Sequence, residues 1–132
     1  MRVYELHGTR VIEASDTVHD DRAAVDLMAL AVSHQAKLIA VPVERLPDGF
    51  FRLDTRIAGA IVQKFVQYRI PVAFVGDITE YLAASSALRA FVHEINRGRQ
   101  IWFVTDETEL ADRLSAQRNP AEAGSPLGIV GT

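Results

Sequence analysis

At 132 residues, with 48% apolar and 23% charged side chains, the chain has the length and composition of one globular domain able to bury a core. A formal net charge of −3 leaves no basic footprint for nucleic acid, and the lack of cysteine removes disulfides, thiolate chemistry and cysteine-ligated zinc. No apolar run approaches the ~18 residues of a membrane span, and no N-terminal stretch reads as a cleavable signal, so the expectation is a soluble cytoplasmic protein that binds neither membrane nor nucleic acid.

Residues 2–7 and 9–14 read as two short strands joined at Gly8-Thr9, which predicts an antiparallel hairpin. A polar loop follows. A first helix is predicted over 21–35, capped by Asp20 or Asp21, with Ala24, Leu27, Met28 and Ala31 as the stripe that packs on a sheet. The apolar run 38–43 is too short for a helix and predicts a strand buried on both faces, with Pro42 at its end. A loop over 44–52 carries the turn signal Pro47-Asp48-Gly49.

A second helix is predicted over 55–68, with Ile57, Ile61 and Phe65 on one face beside Ala58, Val62 and Val66. The run 70–75 is another buried strand. A third helix is expected over 79–97, with Leu88, Phe91, Val92 and Ile95 inward and Gly98 as its terminator. The last strand is expected at 100–104 and a fourth helix at 107–117. The composition then shifts to Asn, Pro, Ala, Gly and Ser, so the reading is one α/β domain over 1–117 and a flexible tail over 118–132. Buried strands alternating with helices imply a largely parallel sheet with right-handed crossovers. The fold expected is a single-domain α/β sandwich, a five-stranded mixed sheet with four helices.

Few side chains point to chemistry. Asp54-Thr55 opens the second helix after a loop at the carboxyl side of a strand. Free N–H groups there stabilise negative charge, which makes Thr55 a phosphoacceptor candidate; the same pair also serves as an ordinary N-cap. Asp77 and Asp106 each follow a buried strand, where α/β folds place ligands, but Glu80 and Glu109 three residues on give each a capping arrangement as well. With Glu44 and Asp54 they make that rim acidic. An acidic rim without a glycine-rich loop repels phosphates, so no nucleotide cofactor is expected. His7, His19, His34 and His93 have no metal-ligand spacing, and no nucleophile elbow is present. Phe50-Phe51 lie in a turn-rich loop, and at most one of them can point inward from an extended segment. An exposed partner would mark a contact surface. The basic group Arg97-Gly98-Arg99 complements a helix dipole.

The segments FFRLDTRIAGAIVQKF, YRIPVAFVGDIT, LRAFVHEINRG and IWFV resemble the bacterial domain-of-unknown-function family DUF4180, over roughly residues 2–115. That resemblance brings no activity with it. The chain departs from the family pattern at Arg56, at Ala60 and at Ala90, the last two in acidic places. The order of elements also resembles the STAS domain of anti-sigma-factor antagonists. There an Asp-Ser or Asp-Thr pair opens the second helix and is phosphorylated by a partner kinase; Asp54-Thr55 falls at the matching place.

Two functions follow as expectations. The first is a non-enzymatic, STAS-like regulatory or protein-binding module with a protein partner, a homodimer being left open. The alternative is a small-molecule enzyme or ligand-binding protein using the carboxyl-end rim, with Asp77, Asp106, Arg52 and Arg56. An enclosed pocket of a few hundred Å3 at that rim, lined by aromatics with converging polar groups, favours the alternative; a flat or shallow rim favours the module.

Overall fold

The first turn of the computed structural model, which describes residues 2–118, is left-handed at two consecutive residues. His7 and Gly8 have φ of 48° and 80°, a backbone twist that matches the twist of the strands they join. Those strands, β1 (Arg2–Leu6) and β2 (Thr9–Glu13), pair antiparallel with Leu6 opposite Thr9 and Arg2 opposite Glu13.

Helix α1 (Asp21–Ser33) begins where the Asp20 carboxylate accepts the Ala23 N–H at 2.8 Å, satisfying one of the free donors of the first turn. It leads to β3 (Leu38–Pro42), in which Pro42 stands last. Helix α2 (Ile57–Tyr68) leads to β4 (Val72–Val75). Two helices, α3 (Thr79–Ala84) and α4 (Ser86–Asn96), precede β5 (Ile101–Val104), and α5 (Glu107–Arg118) ends the described chain. The sheet order is β1-β2-β3-β4-β5, antiparallel only at the first pair. This is the expected five-stranded mixed α/β sheet. The tail expected over 118–132 lies, beyond Arg118, outside the described residues.

Side chains alternate across the sheet, as the pleat requires. Ile12, Ile39, Val41, Val72, Phe74, Ile101 and Phe103 face one side and are buried with the inner stripes of α1, α2 and α4. Val11, Leu38, Ala40, Ala73, Trp102 and Val104 face the other and are buried with Leu110 and Leu114 of α5. The small residues on this second face leave room for Trp102, whose indole N–H donates to the Gly98 carbonyl at 2.9 Å. Both faces being buried explains why these strands read as continuous apolar runs.

Two helix boundaries differ from expectation. The predicted third helix is broken at Ser85, whose extended backbone (φ −145°) ends α3 and whose hydroxyl accepts the Leu88 N–H to start α4. A serine that offers its own side chain to the backbone competes with the helix ladder. The second helix begins at Ile57, two residues later than predicted, because Arg56 takes a left-handed conformation (φ 64°) after a 3-10 turn at Leu53–Thr55.

The outer edge of β5 is met by side chains. Asn96, the last residue of α4, donates from its amide to the Phe103 carbonyl (3.1 Å) and accepts the Phe103 N–H (2.6 Å). The Glu109 carboxylate accepts the Thr105 N–H at 2.7 Å.

Candidate functional site

Parallel β3, β4 and β5 deliver their carboxyl ends, Pro42, Val75 and Val104, to one side of the sheet. Functional side chains of α/β folds gather on that side. The loop over 43–56 supplies most of this rim. It makes a 3-10 turn at Val43–Arg45, passes Pro47-Asp48-Gly49, and makes its second 3-10 turn at Leu53–Thr55.

Its two aromatics take opposite directions. Phe50 is 1% exposed and packs against Phe74 at 5.5 Å between ring centres. It therefore belongs to the core and is not part of a surface. Phe51 is half-buried and lies flat on Tyr81 of α3, with ring centres 4.6 Å apart and planes 18° from parallel. Phe51 also meets Phe50 edge-on at 5.0 Å, so Tyr81, 51% exposed, is the outer member of the stack.

Two clefts border that stack. One of about 400 Å3 is lined by Val43, Glu44, Phe51, Asp77, Glu80 and Tyr81. The other, about 300 Å3, lies against Phe50, Phe51 and Tyr81 and adds Asp48 and Arg52. Each is partly enclosed and partly open to solvent. A more apolar cleft of about 230 Å3 lies apart, between the loop after β2 and α1, where Val18, Ala23, Leu27 and Leu30 line it.

Thr55 is the pin of the rim loop. Its half-buried hydroxyl lies 2.8 Å from the Gly49 carbonyl and 2.7 Å from the Arg52 carbonyl, and it accepts the Ile57 N–H at 3.3 Å. The side chain thus ties the Pro-Asp-Gly turn to the start of α2. Asp54 beside it is exposed and makes no capping bond. Arg56 is exposed at the left-handed residue and lines neither rim cleft, whereas Arg52 lines the smaller one.

The two strand-end aspartates do different things. Asp106 accepts the Glu109 N–H at 2.9 Å and so caps α5, while the Glu109 carboxylate reaches one residue past the cap to accept the Thr105 N–H. Asp77 instead accepts from both the hydroxyl and the N–H of Thr79. Those bonds, the hydroxyl's first, hold its carboxyl below its ordinary value of 3.8. A depressed carboxyl adds to the folded state above its ordinary pKa, and that contribution fades as pH falls through the depressed value. Thr79→Val is expected to move the Asp77 titration upward toward 3.8, still short of it because the backbone N–H bond persists. A 13C-detected carboxyl titration reads this directly; an unmoved Asp77 would remove the hydroxyl as the cause.

Among the described residues no three of His, Asp and Glu converge to hold a metal ion, and no helix is long and apolar enough to cross a membrane. Sequence reasoning singled out Phe51, Asp77 and Arg52, which the fold brings to one rim. It did not single out Tyr81. The available signal was an aromatic on α3 outside the apolar stripe that continues into α4. The three departures from the family pattern, Arg56, Ala60 and Ala90, are exposed and line neither rim cleft.

No curated protein and no solved structure matches the chain significantly. The family model described as a domain of unknown function, DUF4180, matches residues 6–114, from the end of β1 to the last buried leucine of α5, and the chain therefore belongs to that family.

Proposed function

We propose that the chain is a non-enzymatic protein-binding module whose contact surface is the carboxyl-end rim around Phe51 and Tyr81. The observation that carries this reading is the exposed outer ring of the Phe51–Tyr81 stack, set between two partly open clefts. Enclosed, mostly apolar cavities bury small molecules, whereas an aromatic ring half exposed at a rim suits a protein surface, where tyrosine is enriched.

Regulation of this surface would run through Thr55. In a STAS-like module the matching residue is the one that is phosphorylated. A phosphate of roughly −1.5 to −2 charges on the Thr55 oxygen would end the hydroxyl's donation to the Gly49 or Arg52 carbonyl and release the loop that carries Phe51. Modification would thus act by loosening the aromatic surface, with Asp54 adding repulsion.

The test is affinity capture from the native cell extract, quantified by mass spectrometry. Tyr81→Ala is expected to keep the wild-type melting temperature and to lose a captured protein by about tenfold or more. Thr55→Asp is expected to fold with stability lowered by about 1 kcal/mol and to release the same protein. Equal capture by wild type and Tyr81→Ala would overturn the contact surface. Retention by folded Thr55→Asp would overturn the switch alone.

A further inference from the structure

Of the two clefts beside Tyr81, the smaller is lined by Arg52 together with Glu44 and Asp48, whereas the larger has one sign of charge. Its ionisable lining besides the tyrosine is Glu44, Asp77 and Glu80, with no lysine, arginine or histidine. None of the three carboxylates enters an ion pair among the described residues. The remaining lining is Val43 and the Phe51–Tyr81 stack. Phe51 is held from behind by Phe50, with Phe103 further off at 6.5 Å, so the stack is anchored in the core and presents only its outer ring. An electron-rich ring face next to unpaired carboxylates attracts a cation that is itself flat and partly apolar. Guanidinium meets that description better than ammonium. It stacks on aromatic faces, is weakly hydrated, and can bond a carboxylate through two N–H groups while doing so.

We propose that this groove receives an arginine side chain of a partner protein, its guanidinium lying on the outer face of Tyr81 and donating to Glu44, Asp77 or Glu80. The proposal rests on the protein-binding reading of the rim and names the chemistry of the partner. The charge of the lining selects the occupant: an acidic or phosphorylated segment would meet three carboxylates at close range. A partly open cleft buries less of a lone ligand than an enclosed cavity does, which favours a side chain presented on a larger surface over a free small cation. The repulsion expected from modified Thr55 does not enter here, since that residue acts on the loop and not on the charge of the groove. The bonds from Thr79 hold the Asp77 carboxyl below its ordinary value.

The experiment titrates the 15N-labelled protein with an arginine-rich decapeptide and with the same peptide carrying citrulline at every arginine. Citrulline keeps the shape and removes the charge. The arginine peptide is expected to shift backbone amide signals of residues 43–52 and 77–82 and to bind at least tenfold more tightly than the citrulline peptide. Tyr81→Ala should weaken it by about three- to tenfold, Tyr81→Phe should leave it within about twofold, and the combined Glu44→Gln and Glu80→Gln variant should weaken it and flatten its salt dependence. All three positions are exposed, and unchanged melting temperatures establish that the variants fold. No amide shift with the arginine peptide, equal binding of the citrulline peptide, or full binding by Tyr81→Ala overturns the proposal. Free arginine binding as tightly as the peptide overturns the protein partner in favour of a small cation. If the captured protein of the preceding test depends on Tyr81 while the arginine peptide does not bind, the contact surface stands and the arginine assignment falls.

Discussion

Phe50→Ala is expected to destabilise the protein by about 3–5 kcal/mol, the cost of emptying a buried phenyl site that the surroundings fill only in part. Domains of this size have only about 5–15 kcal/mol of stability, so the variant should unfold at a markedly lower urea concentration. The effect is large because a loop residue occupies a core position. Phe50 is 1% exposed and its ring touches Phe51 and Phe74, and through Phe74 it joins the stacked Phe74–Phe103 pair, 4.9 Å between centres. Phe50→Leu, which keeps most of the volume, should cost about 1.5 kcal/mol. Phe51→Ala gives the internal comparison. That ring is half-buried, so its loss should cost about 1–2 kcal/mol while altering the rim far more than the fold. Urea unfolding followed by tryptophan fluorescence orders the three variants. A Phe50→Ala midpoint above that of Phe51→Ala would contradict the assignment of the two rings.

Gly76→Ala is expected to cost about 2–4 kcal/mol, combining steric overlap and backbone strain. Gly76 follows β4 with φ of 152°, and a methyl group built there would lie 2.3 Å from Val43 Cγ2. Its N–H donates to the Val104 carbonyl at 2.9 Å, so the backbone cannot retreat without loosening β5. Val43 has to move instead, and Val43 lines both rim clefts. Adding Val43→Ala should restore part of the stability and not all of it, because the Val43 Cβ itself would be 3.2 Å from the new methyl and the unfavourable φ remains. A double-mutant cycle in urea measures the coupling. A Gly76→Ala variant within about 0.5 kcal/mol of wild type would show that the turn relaxes without strain.

The parts of the fold written in local pattern were legible. Leu38–Pro42, Val72–Val75 and Ile101–Val104 lie within the runs 38–43, 70–75 and 100–104, which read as buried strands because each is apolar on both faces. The Asp20 cap and the α1 stripe follow from rules of spacing. What escaped depends on backbone angles or on distant contacts. Asp54-Thr55 has the composition of a helix cap, but the left-handed Arg56 separates it from the helix, and an arginine gives no sign of positive φ. Ser85 suits the surface of a long helix as well as the break between two. Phe51 and Tyr81 meet only because β4 brings α3 beside the loop after β3, and no spacing rule links residues in separate crossovers. The candidate site was therefore half legible: Glu44 and Asp77 could be placed on the rim and one of Phe50 and Phe51 at a surface, while Glu80 and the outer ring could not.

The way Asn96 and Glu109 occupy the backbone groups of Phe103 and Thr105 limits how copies of this chain can assemble. Sheets grow into fibres when both outer strands offer free hydrogen-bonding groups, because each added copy then presents a fresh end. On the β5 side the Phe103 N–H and carbonyl and the Thr105 N–H are already taken by side chains. Among the described residues β1 is the other outer strand, so a copy adding by strand pairing meets less competition there, and Asn96→Ala is expected to free the Phe103 groups on the opposite edge.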